Sequence, residues 1–294
     1  MSKRSSHDVF SYTEPGDPIW KQLLISTVEW FSGKSDLTRR YDELVAANIP
    51  PHQVWAAALE QLEIAVDWNW GRIHQIPKSG PLVVIANHPF GILDGLMLAN
   101  LMSQRRQDFS FMVNSVLCRD SIVSDHLLPI SFDPTKEAQA LNIQTRKQAL
   151  DRLHRGEAML IFPAGGVATM NGPFGKVEDL EWKRFTAQLI QRSHATVLPV
   201  FFHGKNSPIF QWASQISQNL RLGLLLHEVR NKMGTTLKME IGAPIPFDEI
   251  SHIKSRQELL DHLKEVVFNL GDQIADDGTD LSSDDAHRTM LGLP

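Results

Sequence analysis

The sequence predicts an α/β protein, in which a layered mixed sheet with flanking helices follows an N-terminal helical region. After residue 77, short apolar runs of strand length alternate with longer helical patterns, which is typical of a sheet covered by helices. Before that point, the apolar residues recur at helical spacing instead. The chain has 294 residues and is 42% hydrophobic, so it can bury a sizeable core.

The N-terminal region is expected to hold three helices after a polar lead-in over residues 1–18. The first helix covers 19–31, and its bulky side chains share one face: Trp20, Leu23, Leu24, Thr27 and Phe31. The favoured interpretation is a helix packed on its own domain. The alternative is a helix on a membrane surface, because Trp and Phe favour the lipid headgroup boundary. Helices over 36–48 and 51–66, separated by two prolines, complete the helical region 19–70.

The α/β domain is predicted to span residues 71–271. Five strands are expected, at 81–86, 108–113, 158–162, 196–202 and 237–241. Helices are expected between the strands, near 92–104, 137–154, 180–192 and 208–232. Pro199 lies inside the fourth strand and therefore predicts an edge strand or a bulge.

The last helix has sequence signals at both ends. Ser255 followed by Glu258 forms a capping box, and Gly271 is suited to the position just after the helix. Residues 272–294 carry six Asp and one Arg, which predicts a disordered acidic tail. The whole protein has a net charge of -5, so the remainder of the chain is close to neutral, and no nucleic-acid partner is expected.

The composition also indicates a compartment. The single cysteine, Cys118, excludes an internal disulfide framework and fits a reducing environment. The first residues lack the apolar segment of a signal peptide, and no apolar run reaches the roughly 18–20 residues of a membrane-spanning helix. A cytoplasmic protein is expected, either free or peripheral on the cytoplasmic face of the membrane.

Several common active-site patterns are absent from the sequence. His227 and Glu228 lack the second histidine of a zinc-protease motif, and the single Cys cannot form a thiolate cluster, so no metal site is expected. Neither the G-x-S-x-G of serine hydrolases, nor a P-loop, nor a G-x-G-x-x-G occurs.

The stretch with the most chemical content is Asn87–Gly95, which reads Asn-His-Pro-Phe-Gly-Ile-Leu-Asp-Gly. It joins a predicted strand to a predicted helix, and open α/β sheets place their chemistry at such junctions. His88 is a candidate general base, and Asp94 on the first turn of the helix could fix its tautomer and stabilise its charged form. For His88 alone, the alternative is a buried histidine that caps the end of the strand.

Other stretches are candidates for ligand contacts. One strand ends in the loop Phe162-Pro163-Ala164-Gly165-Gly166, whose adjacent glycines allow close approach of the backbone and can present N–H groups to an anion. A plain strand-ending turn is the alternative. Another strand runs into a polar loop with Gly204, Lys205 and Asn206, where Lys205 could pair with a phosphate.

A helical pair, Asn142 and Arg146, lies one turn apart and shares a face. The arginine could meet an anion there, or only a neighbouring carboxylate.

Taken in order, the stretches NHPFGILDG, Asn142/Arg146, IFPAGGVAT and VLPVFFHGKNS resemble the motifs of the glycerolipid and lysophospholipid acyltransferase superfamily. They are most similar to its bacterial hemolysin-like and ornithine-lipid acyltransferase branch. The resemblance covers roughly residues 70–270 and implies the acyltransferase type of α/β fold. It further implies transfer of a fatty acyl group from acyl-CoA or acyl carrier protein to a lysophospholipid or related lipid acceptor, with no cofactor.

The resemblance also implies roles for single residues. His88 would remove a proton from the acceptor hydroxyl or amine as it attacks the acyl thioester, and Asp94 would orient His88, with no covalent acyl-enzyme. The Phe162–Gly166 loop and Lys205 would help hold the acceptor head group or the oxyanion. Further substrate contacts are expected from other motif residues: Asn87, Gly91, Gly95, Arg146, Gly204 and Asn206.

Three departures from the superfamily pattern qualify these roles. Five residues separate His88 from Asp94 where four are usual, and Gly91 supplies the backbone freedom to absorb the extra one. The usual glutamate of the F-P-x-G loop is missing, because Ala164 and Gly166 occupy the matching positions. The region 128–134 lacks the expected arginine, which leaves Arg146 as the nearby candidate. The second hypothesis is therefore a catalytically silent lipid-binding protein that retains the fold.

Overall fold

The structure is a computed structural model and describes residues 34–118, 122–172, 175–216 and 218–276. The predicted lead-in over 1–18, the helix over 19–31 with its membrane-surface alternative, and residues 277–294 of the predicted tail lie outside the described residues. The disordered tail predicted over 272–294 is wrong for 272–276, which belong to the last helix.

Helices and strands alternate along the α/β part of the chain, as the sequence predicts. The α-helices are α1 (Lys34–Ala46), α2 (Val54–Gln61), α3 (Ile92–Ser103), α4 (Lys136–His154), α5 (Phe185–Ser193), α6 (Pro208–Ile216), α7 (Gln218–Asn231), α8 (Phe247–Ile250) and α9 (Arg256–Asp276). The strands are β1 (Ala65–Trp68), β2 (Leu82–Ala86), β3 (Phe109–Asn114), β4 (Leu127–Ile130), β5 (Ala158–Ile161), β6 (Thr169–Met170), β7 (Val177–Glu178), β8 (Thr196–Phe202) and β9 (Thr236–Ile241). None of the described helices is long and apolar enough to cross a membrane.

Seven of the strands form one sheet in the order β1-β9-β8-β2-β5-β3-β4. All neighbours in this sheet pair in parallel except β8 and β9, so the sheet is mixed, as predicted. Strands β6 and β7 form a separate antiparallel pair. Because β8, β2 and β5 are adjacent and parallel, the loops that follow them emerge side by side at one edge of the sheet.

The core consists of two apolar layers, one on each face of the sheet. Strand β2 is fully buried, and its side chains alternate between the layers, as the period of a strand requires. Leu82 and Val84 face a layer that includes residues of α2, α3 and α7, whereas Val83 and Ile85 face a layer built from α4, α5 and α9. The predicted architecture of a layered sheet with flanking helices is therefore confirmed.

One predicted helix differs from the observed structure, and several short strands were not predicted. The helix predicted over 51–66 ends at Gln61, and the chain then forms β1, which joins the large sheet. The helix cannot continue because Glu63 adopts a positive φ of 57°, outside the helical region. Strand β4, which contains Pro129, was also not predicted, and β6 and β7 have two residues each, too few to show a hydrophobic period.

Other differences concern helices. The helix predicted over 180–192 begins only at Phe185, and the one predicted over 208–232 is two helices, α6 and α7. The last helix begins after Ser255 as predicted, but it runs past Gly271 to Asp276. Gly271 serves packing instead of ending the helix, since a Cβ there would lie 2.4 Å from Cε1 of Phe201.

Pro199 lies in an interior strand, so the bulge is the correct one of the two alternatives. Val200 pairs with Ile241 and Val197 pairs with Ile245, which leaves one more residue on the β9 side than on β8. Such an extra residue defines a β-bulge, and it removes the need for an N–H group at Pro199.

Candidate active site

The strand β2 delivers Asn87 and His88 to the carboxyl edge of the sheet. The side chain of Asn87 is buried and clamps the end of β8: its Nδ2 donates to the carbonyl oxygen of Phe202 at 2.9 Å, and its Oδ1 accepts from the Phe202 N–H at 2.7 Å. Asn87 thus ties the His88 loop to the loop after β8.

The turn between His88 and Asp94 is built around Gly91, which has a φ of 86° and precedes α3. Oδ2 of Asp94 accepts hydrogen bonds from the backbone N–H groups of Phe90 at 2.8 Å and of Gly91 at 2.9 Å. The extra residue in the His–Asp spacing is therefore accommodated by a tight, side-chain-capped turn.

The His88 ring lies directly against this carboxylate, with Nδ1 2.9 Å from Oδ2 of Asp94. Asp94 is 0% exposed, whereas the side chain of His88 keeps 15% of its surface open. A carboxylate that already accepts two N–H groups requires a donor from His88, so Nδ1 carries the hydrogen and Nε2 keeps its lone pair. The geometry therefore fixes the orientation of the His88 ring against Asp94.

The surroundings of Asp94 have two opposite effects on its pKa. Burial raises the pKa of Asp94, while the hydrogen bonds from His88, Phe90 and Gly91 favour the ionised form. Its second oxygen, Oδ1, is buried and has no hydrogen-bond partner among the described residues.

Phe162, at the end of β5, stacks on the ring of His88 with the two centroids 4.0 Å apart and an interplanar angle of 17°. After it the chain turns, with the N–H of Gly165 donating to the carbonyl of Phe162 at 2.9 Å. Gly165 has a φ of 68°, which favours glycine. Pro163 accepts a hydrogen bond from the N–H of Lys183 at 2.8 Å. This loop therefore forms one wall of the site beside the histidine.

Asp179 is a contact that the sequence did not single out. Its Oδ1 accepts the backbone N–H of His88 at 3.0 Å, and its Oδ2 accepts Nε1–H of Trp182 at 3.0 Å. Burial raises the pKa of Asp179, in opposition to these hydrogen bonds. An acidic residue in a polar stretch between elements carries no sequence signal for this role.

Arg221, on α7, was also not predicted. Its Nη2 donates to the carbonyl oxygen of Val167, and a Cβ placed on Gly166 would lie 3.4 Å from the same nitrogen. Burial lowers the pKa of Arg221. In the sequence this arginine is one of several charges on a helix, so only tertiary packing distinguishes it.

The loop after β8 lies against the His88 loop. The backbone of Gly204 packs on Phe90, because a Cβ at Gly204 would lie 2.7 Å from Cζ of that ring. Lys205 is exposed, whereas Asn206 is 1% exposed and neither atom of its amide has a hydrogen-bond partner among the described residues. Of the three predicted positions, Gly204 and Lys205 are therefore exposed and Asn206 is buried.

Arg146 and Gly95 lie differently from the residues above. The guanidinium carbon of Arg146 is 5.0 Å from the ring centre of Phe185, and no described contact joins it to the His88 loop. Asn142 instead bonds the backbone of Ser131 through its amide. Gly95 is on the first turns of α3, and a Cβ there would meet nothing within 4 Å.

Among the described residues, no group of three or more His, Cys, Asp or Glu could hold a metal ion.

Comparison with known proteins adds independent information. A family model described as acyltransferase matches residues 34–277. Two curated relatives are named lyso-glycine lipid O-acyltransferase. The one from Phocaeicola vulgatus is 24% identical over 221 residues, which cover 73% of this chain and 76% of the relative. The one from Bacteroides thetaiotaomicron is 27% identical over 229 residues, which cover 73% and 78%.

Among solved structures, the chain is similar to the crystal structure of the 1-acyl-sn-glycerophosphate (LPA) acyltransferase PlsC from Thermotoga maritima. The TM-score is 0.48 at 16% identity, and the match covers 87% of this chain and 97% of the other.

Proposed function

Because the chain belongs to the acyltransferase family, we propose that it transfers a fatty acyl group from an acyl thioester to the hydroxyl group of an amino-acid lipid, with His88 as the general base. Lipid acyl transfer itself is supported by the family match and by the curated relatives. The choice of a hydroxyl acceptor on an amino-acid lipid follows the names of those relatives.

The observation that carries the proposal is the contact between Nδ1 of His88 and Oδ2 of the fully buried Asp94 at 2.9 Å. A buried carboxylate on Nδ1 leaves Nε2 free as a proton acceptor and stabilises the imidazolium that forms. Phe162 restricts rotation of the ring by stacking on it. A histidine that only capped the strand end would not need its own orienting acid.

The reaction proceeds without a covalent acyl-enzyme. Nε2 of His88 takes the proton of the acceptor hydroxyl as its oxygen attacks the thioester carbonyl carbon. The tetrahedral intermediate then collapses, the bond between carbon and sulfur breaks, and the thiolate takes the proton from His88. The products are an ester and a free thiol, and His88 returns to its starting form. The base contributes about 10²–10⁴-fold to the rate, and positioning contributes the rest.

The donor in this proposal is acyl-CoA or acyl carrier protein, and no other cofactor takes part. Apolar side chains stand exposed around the Gly165–Gly166 loop: Phe132 is 59% exposed and Leu180 is 37% exposed. Exposed apolar groups beside a lipid-handling site suit acyl chains or a membrane surface. They support a peripheral membrane contact, in addition to the one that was the alternative interpretation for residues 19–31.

The test is acyl transfer by purified protein from a labelled acyl thioester to a panel of hydroxyl-bearing amino-acid lipids and lysophospholipids. His88→Ala is expected to lower kcat by roughly 10²–10⁴-fold while circular dichroism shows a native fold. His252→Ala, at an exposed histidine outside the site, is the control and should keep full activity. Equal transfer by His88→Ala would remove His88 from the mechanism. Lipid binding by the wild-type protein without transfer to any acceptor would favour the silent lipid-binding alternative.

A further inference from the structure

Arg221 is a partly buried cation that has no acidic partner among the described residues. Its Nη2 donates to the carbonyl oxygen of Val167, and no carboxylate among the described residues pairs with its guanidinium. None of its nitrogens is a fully buried atom that lacks a hydrogen-bond partner, so its other N–H groups remain accessible. A desolvated guanidinium is ordinarily compensated by an anion, and in this chain the compensation is incomplete.

The position of Arg221 links it to His88. The residue after Val167, Ala168, donates its N–H to the carbonyl oxygen of His88 at 2.7 Å. Leu225 lies one helical turn after Arg221 on the same face of α7, and its Cδ2 would be 2.9 Å from a Cβ on Gly91. One face of α7 therefore contacts both the Gly166–Ala168 segment and the turn that carries the His–Asp pair.

Gly166 gives the guanidinium no acidic partner on the side of the loop. A side chain there would begin 3.4 Å from Nη2 of Arg221, so a carboxylate on that side chain could reach the guanidinium. The glycine provides no such internal partner, and the loop backbone packs closely here, since a Cβ at Gly166 would also lie 3.1 Å from Cδ1 of Leu180.

The local charges favour a carboxylate over a phosphate monoester. One guanidinium matches a carboxylate in shape and in charge, through two parallel N–H···O bonds. Asp94 and Asp179 both contact His88, and in their ionised forms they would oppose a dianion more strongly than a monoanion.

We propose that Arg221 is a specificity-determining residue that binds the carboxylate of the acceptor lipid beside Gly166, while His88 activates the hydroxyl of the same molecule. The proposal rests on the proposed function and deepens it. A glycine joined to a fatty acyl chain through its nitrogen ends in a free carboxylate, which is the group that Arg221 would bind. A neutral acceptor of the same length would lack this contact.

The test compares two acceptors, an N-(hydroxyacyl)glycine and its glycinamide counterpart, with a labelled acyl thioester as donor. Arg221→Gln should raise KM for the glycine acceptor roughly ten- to a hundredfold, with little change in kcat and no change in KM for the amide. Arg230→Gln, at an exposed arginine on the same helix, is the matched control and should leave both values unchanged. An unchanged preference for the acid over the amide in Arg221→Gln overturns the proposal.

A second pair of variants keeps Arg221 and changes its surroundings. Gly166→Glu places an internal carboxylate beside the guanidinium and should raise KM for the glycine acceptor far more than Gly166→Gln does. Both variants should affect the amide equally. Equal effects of Glu and Gln on the acid would contradict the proposal even if Arg221→Gln failed to fold.

Two further measurements separate this proposal from the proposed function. Calorimetric titration of the two acceptors into the wild-type protein and Arg221→Gln reports carboxylate binding without any transfer, so it decides the role of Arg221 even if no acyl transfer occurs. Lysophosphatidate serves as the phosphate arm of both assays. If Arg221→Gln lost binding and transfer only with lysophosphatidate, the guanidinium would bind a phosphate, and the proposed carboxylate contact would be wrong.

Discussion

At the scale of residues, Gly91 decides how His88 meets Asp94. Its φ of 86° turns the chain so that the N–H groups of Phe90 and Gly91 and the Nδ1 of His88 all converge on one oxygen of Asp94. A residue with a Cβ would be strained in this conformation and would also collide with Leu225 at 2.9 Å.

Gly91→Ala should therefore destabilise the protein more than Gly80→Ala, which serves as its control. Gly80 has the same φ of 86°, but a Cβ there would meet nothing within 4 Å. Both substitutions cost about 1–2 kcal/mol for the positive φ, and Gly91→Ala should cost about 1–3 kcal/mol more for overpacking. Urea unfolding gives both values. Equal losses in the two variants would show that Leu225 and Val167 move away freely.

The sequence alone predicted His88 and Asp94, because the two residues are close along the chain and the motif order is specific. It could not predict Asp179 or Arg221, since their partners lie far away in the sequence: Asp179 is 91 residues from His88, and Arg221 is 54 residues from Val167. Contacts of this kind depend on how helices and loops are packed over the edge of the sheet.

At the scale of elements, α9 packs closely on β8 through Gly271. The ring of Phe201 lies where a side chain at Gly271 would be, so the helix approaches the sheet with its backbone. This explains why a glycine remains inside a helix, where it costs about 1 kcal/mol relative to alanine. A sequence pattern reports the glycine but not the ring beneath it, which is why the helix was predicted to end there.

Gly271→Ala should lower the free energy of unfolding by about 1–3 kcal/mol, because its Cβ would lie 2.4 Å from Cε1 of Phe201. Gly95→Ala is the matched control, since Gly95 is also helical and its Cβ would meet nothing within 4 Å. That substitution should instead stabilise the protein by up to about 1 kcal/mol. Thermal and urea unfolding should give opposite signs for the two variants, and a stabilising Gly271→Ala would refute the packing argument.

At the scale of the whole molecule, the fold removes Asp94 from water and partly buries Asp179, the two acids that contact His88. Burial raises the pKa of both Asp94 and Asp179, so the folded protein retains protons that the unfolded chain releases above a pH of about 4. In that range the folded state binds more protons than the unfolded state, and these two groups make the free energy of unfolding fall as the pH rises.

Asp179→Asn should make the fall of the free energy of unfolding with rising pH shallower, because the variant removes one of the two groups.

Asp36→Asn tests the opposite case, a carboxyl group whose pKa is lowered in the folded protein. Hydrogen bonds from Arg39 and Arg40 lower the pKa of Asp36, so its contribution to stability is present above the unfolded pKa and is lost as the pH falls. Its removal should make the fall with rising pH slightly steeper, by little because Asp36 is well exposed. Urea unfolding between about pH 4 and 7 measures all three slopes, and an unchanged slope in Asp179→Asn would contradict the role of its burial.

The sequence by itself determined the alternation of strands and helices, the two-faced burial of β2 and the adjacency of His88 and Asp94. These features depend on hydrophobic period and on short chain separation, which are local properties. Only the tertiary structure decided that β1 joins the sheet beside β9, that Asp179 holds the His88 backbone, and that Arg221 reaches Gly166. Those contacts arise from elements distant in sequence, and their geometry follows from packing all of them at once.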